Sequence, residues 1–122
     1  MIRGIGMDVV DVDRLAASLC RTPGLAPRLF TDRERVAPDG TTRGPASLAA
    51  RFATKEAVLK AIGAPAGIGW RDIEVAQEPS GRPAVLVTGH AERLARGLGI
   101  TGWLVSQTHD AGIAASMVIA EG

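Results

Sequence analysis

The sequence predicts an α+β fold, a small antiparallel or mixed sheet packed with one long helix and several short ones. Three observations carry that expectation. Ser47–Ile62 contains no Gly or Pro and is rich in Ala, Leu, Arg, Lys and Glu, the composition of a sustained helix. Short apolar runs bounded by turn residues recur on both sides of it. Their order, β, helices, β, β, α, β, β, lacks the regular alternation of a doubly wound parallel sheet. A length of 122 residues, 46% of them hydrophobic, suits one domain spanning residues 1–122.

Each element has a local reason. Ile2–Val10 is rich in Ile, Val and Met and reads as a buried strand ending near Asp8. Asp11 or Asp13 caps a short helix running to about Cys20, and Thr22-Pro23-Gly24 stops it. A second helical piece covers Leu25–Phe30. Thr31 followed by Glu34 has capping-box spacing and starts a short helix near Asp32–Val36. Ala37–Pro45 holds two Pro and two Gly in nine residues and reads as a mobile loop. Gly63 ends the long helix. Trp70–Glu78 alternates as a strand with Ile73 and Val75 on one face, Pro79–Pro83 turns the chain, and Ala84–Thr88 is the partner strand. His90–Gly97 is a helix. Ile100–Gln107 and Ile113–Ala120 are two strands joined by a loop over Thr108–Gly112.

Composition removes several functions. With 14 basic and 13 acidic residues the net charge is +1, without the basic field of a nucleic-acid binder. Two Trp, two Phe and no Tyr make no base-stacking platform. The longest stretch free of Asp, Glu, Lys and Arg is Gly97–His109, thirteen residues, too short to cross a bilayer. Asp8, Asp11 and Asp13 break any apolar signal region, so a cytoplasmic location is expected. Cys20 is the only cysteine, which excludes an internal disulfide and a multi-cysteine zinc site. Ala and Gly together make up 35 of 122 residues, and this scarcity of large core side chains is the composition of a chain whose core an oligomer would finish.

The chemistry concentrates on the long helix. At about 100° per residue, Ile62, Leu48, Leu59 and Phe52 share an arc of roughly 80°, with Lys55 inside it, Glu56 about 40° beyond Phe52 and Lys60 about 40° further. Glu56 and Lys60 have the spacing of an ordinary surface pair. Yet the chain has 12 Arg and only two Lys, and both Lys flank this one Glu. A compact ammonium meets a phosphate as a point charge, unlike a guanidinium fork. Asp8 closes an apolar strand and is either a turn residue or, with Glu56, half of a hard oxygen site suited to Mg²⁺. His109 falls in the predicted hairpin loop beside Asp110, and His90 at a helix start reads as structural. Gly4-Ile5-Gly6 lacks the third glycine and following helix of a dinucleotide fingerprint. Gly81-Arg82-Pro83 is a turn whose backbone and Arg are compatible with a phosphate.

Together these segments resemble the holo-(acyl-carrier-protein) synthase type of 4'-phosphopantetheinyl transferase, nearly end to end. Gly4-Ile5-Gly6-Met7-Asp8-Val9-Val10 with Asp11-Val12-Asp13-Arg14 is similar to the family's opening segment. Arg51-Phe52-Ala53-Thr54-Lys55-Glu56-Ala57 with Lys60 resembles its signature helix, Gly81-Arg82-Pro83 its Gly-Lys-Pro turn, and Trp103–Asp110 its C-terminal Trp-x-Val-Ser-x-Ser-His segment. Arg82 stands where Lys is usual, and Gln107-Thr108 where a small apolar residue and Ser are usual.

The resemblance implies transfer of the phosphopantetheine arm from coenzyme A to a serine of an apo carrier protein. Asp8 and Glu56 would hold Mg²⁺, with Lys60 assisting at the phosphate. His109 would contact the coenzyme or deprotonate the serine, with metal-bound water or Glu56 as alternatives for that step. Arg51 and Lys55 would contact phosphate, and Gly81, Arg82 and Pro83 would line the nucleotide end. Arg14, Arg21 and Arg28 would meet an acidic carrier helix. The family's fold and its homotrimer with intersubunit sites are implied with it. Two other classes stay in view: a non-catalytic module binding a nucleotide or carrier, and a Mg²⁺-dependent nucleotide hydrolase, which would act without a carrier.

Overall fold

The computed structural model describes every residue, Met1–Gly122. In chain order it contains β1 (Ile2–Asp11), α1 (Val12–Arg21), α2 (Leu25–Leu29), a 3-10 turn at Arg33–Arg35, α3 (Pro45–Ala61), a second 3-10 turn at Trp70–Asp72, β2 (Ile73–Gln77), β3 (Pro83–Val87), α4 (Gly89–Gly97), β4 (Gly102–Asp110) and β5 (Ile113–Glu121). The α+β class is as expected. The strands form two sheets, β1-β5-β4 and β2-β3, and every pairing is antiparallel.

The three-stranded sheet carries α3 on its inner face, and the glycines of β1 make that close approach possible. A Cβ on Gly6 would run into the carbonyl of Ala57, and one on Gly4 into that of Ala61. Gly4-Ile5-Gly6 is therefore a helix–strand packing device. Alanines complete it: Ala49, Ala53, Ala57, Ala114 and Ala120 are fully buried. Larger side chains fill the two ends. Leu15, Leu29, Phe30 and Leu48 cluster under α1 and α2, while Val58, Ile73, Val85 and Val118 join α3 to both sheets. Asp11 caps α1 by accepting a hydrogen bond from the Arg14 amide at 2.9 Å, an arrangement that contributes about 1 kcal/mol.

Most boundaries differ from expectation by a residue or two, and three of the differences have a clear local cause. The long helix begins at Pro45, because proline at the first helical position sacrifices no helical hydrogen bond. Trp70–Asp72 coil into a 3-10 turn, so the strand starts only at Ile73. The expected loop over Thr108–Gly112 is instead a two-residue turn, Ala111-Gly112, with φ of 51° and 78°. That left-handed pair suits the twist of a hairpin. Ala-Gly carries none of the Asn-Gly or Asp-Gly signal that announces it, and His109 consequently sits on β4, opposite Ala114.

The outer face of the same sheet is apolar and open. Ile5, Met7 and Val9 of β1 are 62%, 61% and 61% exposed. Leu104 of β4 and Met117 of β5 continue the patch through the strand register.

Candidate active site

Asp8 lies on the inward-facing side of β1, and α3 passes over that face with Glu56 and, one turn later, Lys60. The Lys60 ammonium donates to Asp8 Oδ1 at 3.0 Å and to the Met7 carbonyl at 3.1 Å. Tertiary packing thus draws Lys60 to Asp8 instead of leaving it in a helical Glu56–Lys60 ion pair. Partial burial, and then the charge of Asp8, push the Glu56 carboxyl above its ordinary range, against the opposing influence of Lys60; a hydrogen bond to Asp8 adds to the rise. Two carboxylates with one lysine leave an excess of negative charge.

That donor set fits Mg²⁺. Hard carboxylate oxygens are the ligands it prefers, and it is ordinarily held by one or two of them. No third His, Cys, Asp or Glu completes a protein cluster, so water and substrate oxygens would fill the remaining positions. Asp8 and Glu56 line a cavity of about 410 Å³ whose other walls include Asp11, Arg14, Leu15 and Phe52. Its lining combines charged groups with apolar side chains.

A second cavity, of about 280 Å³, lies toward the end of β4 and contains Arg43, Ser47, Arg51, Gly81, Pro83 and His109. Arg51 is 6% exposed and donates to Ser47 Oγ at 2.9 Å; Arg43 donates to the same oxygen at 3.3 Å and to Gln77 Oε1 at 3.1 Å. The Nε of each guanidinium is buried without a partner. Burial, and then the charge of Arg43, lower Arg51 to about 10. Two guanidiniums that share one serine oxygen and have no salt-bridged carboxylate give this cavity the chemistry of a candidate anion site. Sequence reasoning missed Arg43 because it lies in a Gly/Pro-rich loop; its position just before the helix start was the available signal.

Other expected site residues fall elsewhere. Lys55 is fully buried, and its ammonium donates to Glu34 Oε1 at 2.6 Å, to the Trp70 carbonyl at 2.9 Å and to the Ile73 carbonyl. All three of its protons are committed inside the protein, so the expected phosphate contact is corrected to a structural role. Glu34 in turn accepts from the amides of Thr31 and Val75, each at 2.9 Å. The Thr31–Glu34 capping box is therefore also half of a buried ion pair. Gly81 and Pro83 line the Arg43–Arg51 cavity but Arg82 does not; with Pro83, Glu78 and Trp103 it lines a neighbouring cleft, a correction to its expected place beside them. Arg14, Arg21 and Arg28 are exposed on α1 and α2, with Arg14 at the rim of the carboxylate cavity.

Comparison with known proteins places this arrangement in context. Residues 4–113 match the model of the 4'-phosphopantetheinyl transferase superfamily. The chain is 58% identical over 121 residues to the holo-[acyl-carrier-protein] synthase of Streptomyces avermitilis, covering 99% of this chain and 98% of that protein. Among solved structures, the acyl carrier protein synthase of Mycobacterium tuberculosis is 35% identical with a TM-score of 0.75, covering 99% of this chain and 98% of that one. The Helicobacter pylori holo-[acyl-carrier-protein] synthase, solved in complex with coenzyme A, is 26% identical with a TM-score of 0.83, covering 96% and 99% respectively.

Proposed function

The chain belongs to the 4'-phosphopantetheinyl transferase superfamily, and from that premise we propose that it transfers the 4'-phosphopantetheine group of coenzyme A to a serine of an apo acyl carrier protein. The observation that carries this reading at the residue level is the meeting of Asp8 and Lys60 at 3.0 Å beside Glu56, where Asp8 and Glu56 line one cavity. In the reaction the serine oxygen forms a new P–O bond to the pantetheine phosphate. The pyrophosphate P–O bond breaks, and adenosine 3',5'-bisphosphate leaves. Asp8 and Glu56 would hold Mg²⁺, which would neutralise pyrophosphate charge. Lys60 contributes a further positive charge at the same phosphate and orients Asp8. Glu56 is also the carboxylate nearest the reacting phosphate that can receive the serine proton.

The anion cavity takes the nucleotide end. Arg43 and Arg51 face the coenzyme phosphate, and His109 contacts it from β4. Arg14, Arg21 and Arg28 meet the acidic carrier. A homotrimer completes the site: α3 lies between the two cavities within one protomer, and the open apolar face of β1, β4 and β5 is the surface a second copy would cover. Residues 1–122 act as one domain, in the cytoplasm; no helix is long and apolar enough to cross a membrane.

Intact-mass spectrometry of an apo carrier protein incubated with this chain, coenzyme A and Mg²⁺ tests the reading. The expected result is a gain of one phosphopantetheine unit, abolished by EDTA. Coenzyme A binding without any gain would support a binding module instead, and coenzyme cleavage without carrier would support a hydrolase.

A further inference from the structure

β4 is an edge strand, and its inward side chains change character along its length. Trp103 and Val105 pack against the apolar clusters beneath α3 and α4. Beyond Val105 the contact with α3 is polar. Gln107 Nε2 donates to the Ala50 carbonyl at 3.3 Å and to Thr54 Oγ1 at 2.7 Å. Thr54 is fully buried and also hydrogen-bonds Ser116 Oγ at 2.7 Å, on the strand beside Gln107. The amide's orientation is dictated by chemistry, because the Ala50 carbonyl accepts only a donor, which turns Nε2 toward α3. Two residues further, on the same side of the strand, stands His109, and both residues line the cavity of Arg43 and Arg51, where the Gln107 amide is turned toward α3.

We propose that Gln107 is a positioning residue, whose amide ties the end of β4 to α3 and so fixes His109 against the Arg43–Arg51 anion site. This rests on the reading of that cavity as the coenzyme's nucleotide end. Ala50 and Arg51 are consecutive on α3, so the carbonyl that anchors Gln107 belongs to the same helical turn that supplies a guanidinium. Strand and helix halves of the cavity are thereby held in register. An apolar side chain at position 107 would fill the space but could not donate to Ala50 or Thr54.

The test is calorimetric titration of the wild type, Gln107→Leu and Gln107→Met with adenosine 3',5'-bisphosphate, alongside steady-state transfer kinetics. Methionine nearly preserves volume, so it guards against a leucine variant that folds poorly. Losing the two bonds should weaken bisphosphate binding and raise KM for coenzyme A about fivefold, with kcat and KM for the carrier little changed. A merely structural role would instead lower the active fraction, reducing kcat and leaving the dissociation constant unaltered. In a His109→Ala background, Gln107→Leu should add nothing further. Wild-type affinity in both variants, or effects of the two sites that multiply, would overturn the positioning role while leaving the coenzyme site intact. Failure of the wild type itself to bind the bisphosphate would overturn the assignment of the cavity, and the inference with it.

Discussion

Lys55 and Glu56 are neighbours in sequence on α3, yet they belong to opposite kinds of charged cluster. Roughly 100° apart around the helix, one points beneath the sheet-covered side and the other into a cavity. Lys55 is sealed against Glu34, and every polar atom of the pair has a partner in the backbone or in the other member. Glu56 shares its cavity with Asp8, and the cation in contact with this pair of carboxylates is Lys60, which is half exposed. Burial lowers the Lys55 ammonium's affinity for its proton while Glu34 opposes the loss; for Glu56, burial and Asp8 act together. A charge that serves the fold is fully satisfied, whereas a charge available to a metal or substrate carries a deficit.

The largest expected effect breaks the satisfied cluster. Lys55→Ala leaves the Glu34 carboxylate buried and unpaired, at a cost of about 3–5 kcal/mol, a large part of the stability of a domain this size. Urea unfolding should show a strongly lowered midpoint. An unchanged midpoint would mean that the pair is not structurally required.

Glu56→Gln should do the reverse. Transfer should fall by about 10²–10³-fold, comparable to the loss of one electrostatic stabiliser in an active site, when product formation is followed by mass spectrometry. The metal-free protein should become more stable at about pH 7, because folding raises the Glu56 pKa above its ordinary 4.5 and so penalises the ionised form. Stability lost through this group as pH rises past 4.5 is regained in the variant, and the difference should close at about pH 3, well below 4.5, where both states are protonated. Thermal unfolding at the two pH values checks the sign. Equal activity would remove Glu56 from the site.

The smallest effect sharpens the comparison at the rim. Arg14→Glu should weaken carrier binding by about tenfold at low salt and much less at high salt, because the contact is exposed and screened. Affinity measured across a salt series would show this, and a salt-independent loss would point to damage in α1 instead.

Much of the fold was legible locally. Asp11 capping α1, the Thr31–Glu34 capping box, proline-bounded turns and the composition of α3 all express short-range preferences of the backbone. The hairpin was not, because Ala111 adopts a left-handed conformation that its side chain does not advertise. Among site residues, Asp8, Glu56 and Lys60 stood out by residue type and spacing, and Lys55 stood out for the same reasons with a different outcome. Helical geometry placed Lys55 on the buried arc, but the partner that would neutralise it lies 21 positions away in sequence.

The sequence by itself determined the element order, the long helix with its two lysines around one glutamate, and the motifs that mark the family. Tertiary structure alone decided which lysine is sealed inside and which stays half exposed against Asp8, that Arg43 joins Arg51 on one serine, and that Gln107 reaches across to α3. The physical reason is range. Capping and turn preferences act within a few residues, whereas burial and charge pairing depend on which distant backbone and side-chain groups the packed sheet and helix bring within hydrogen-bond distance.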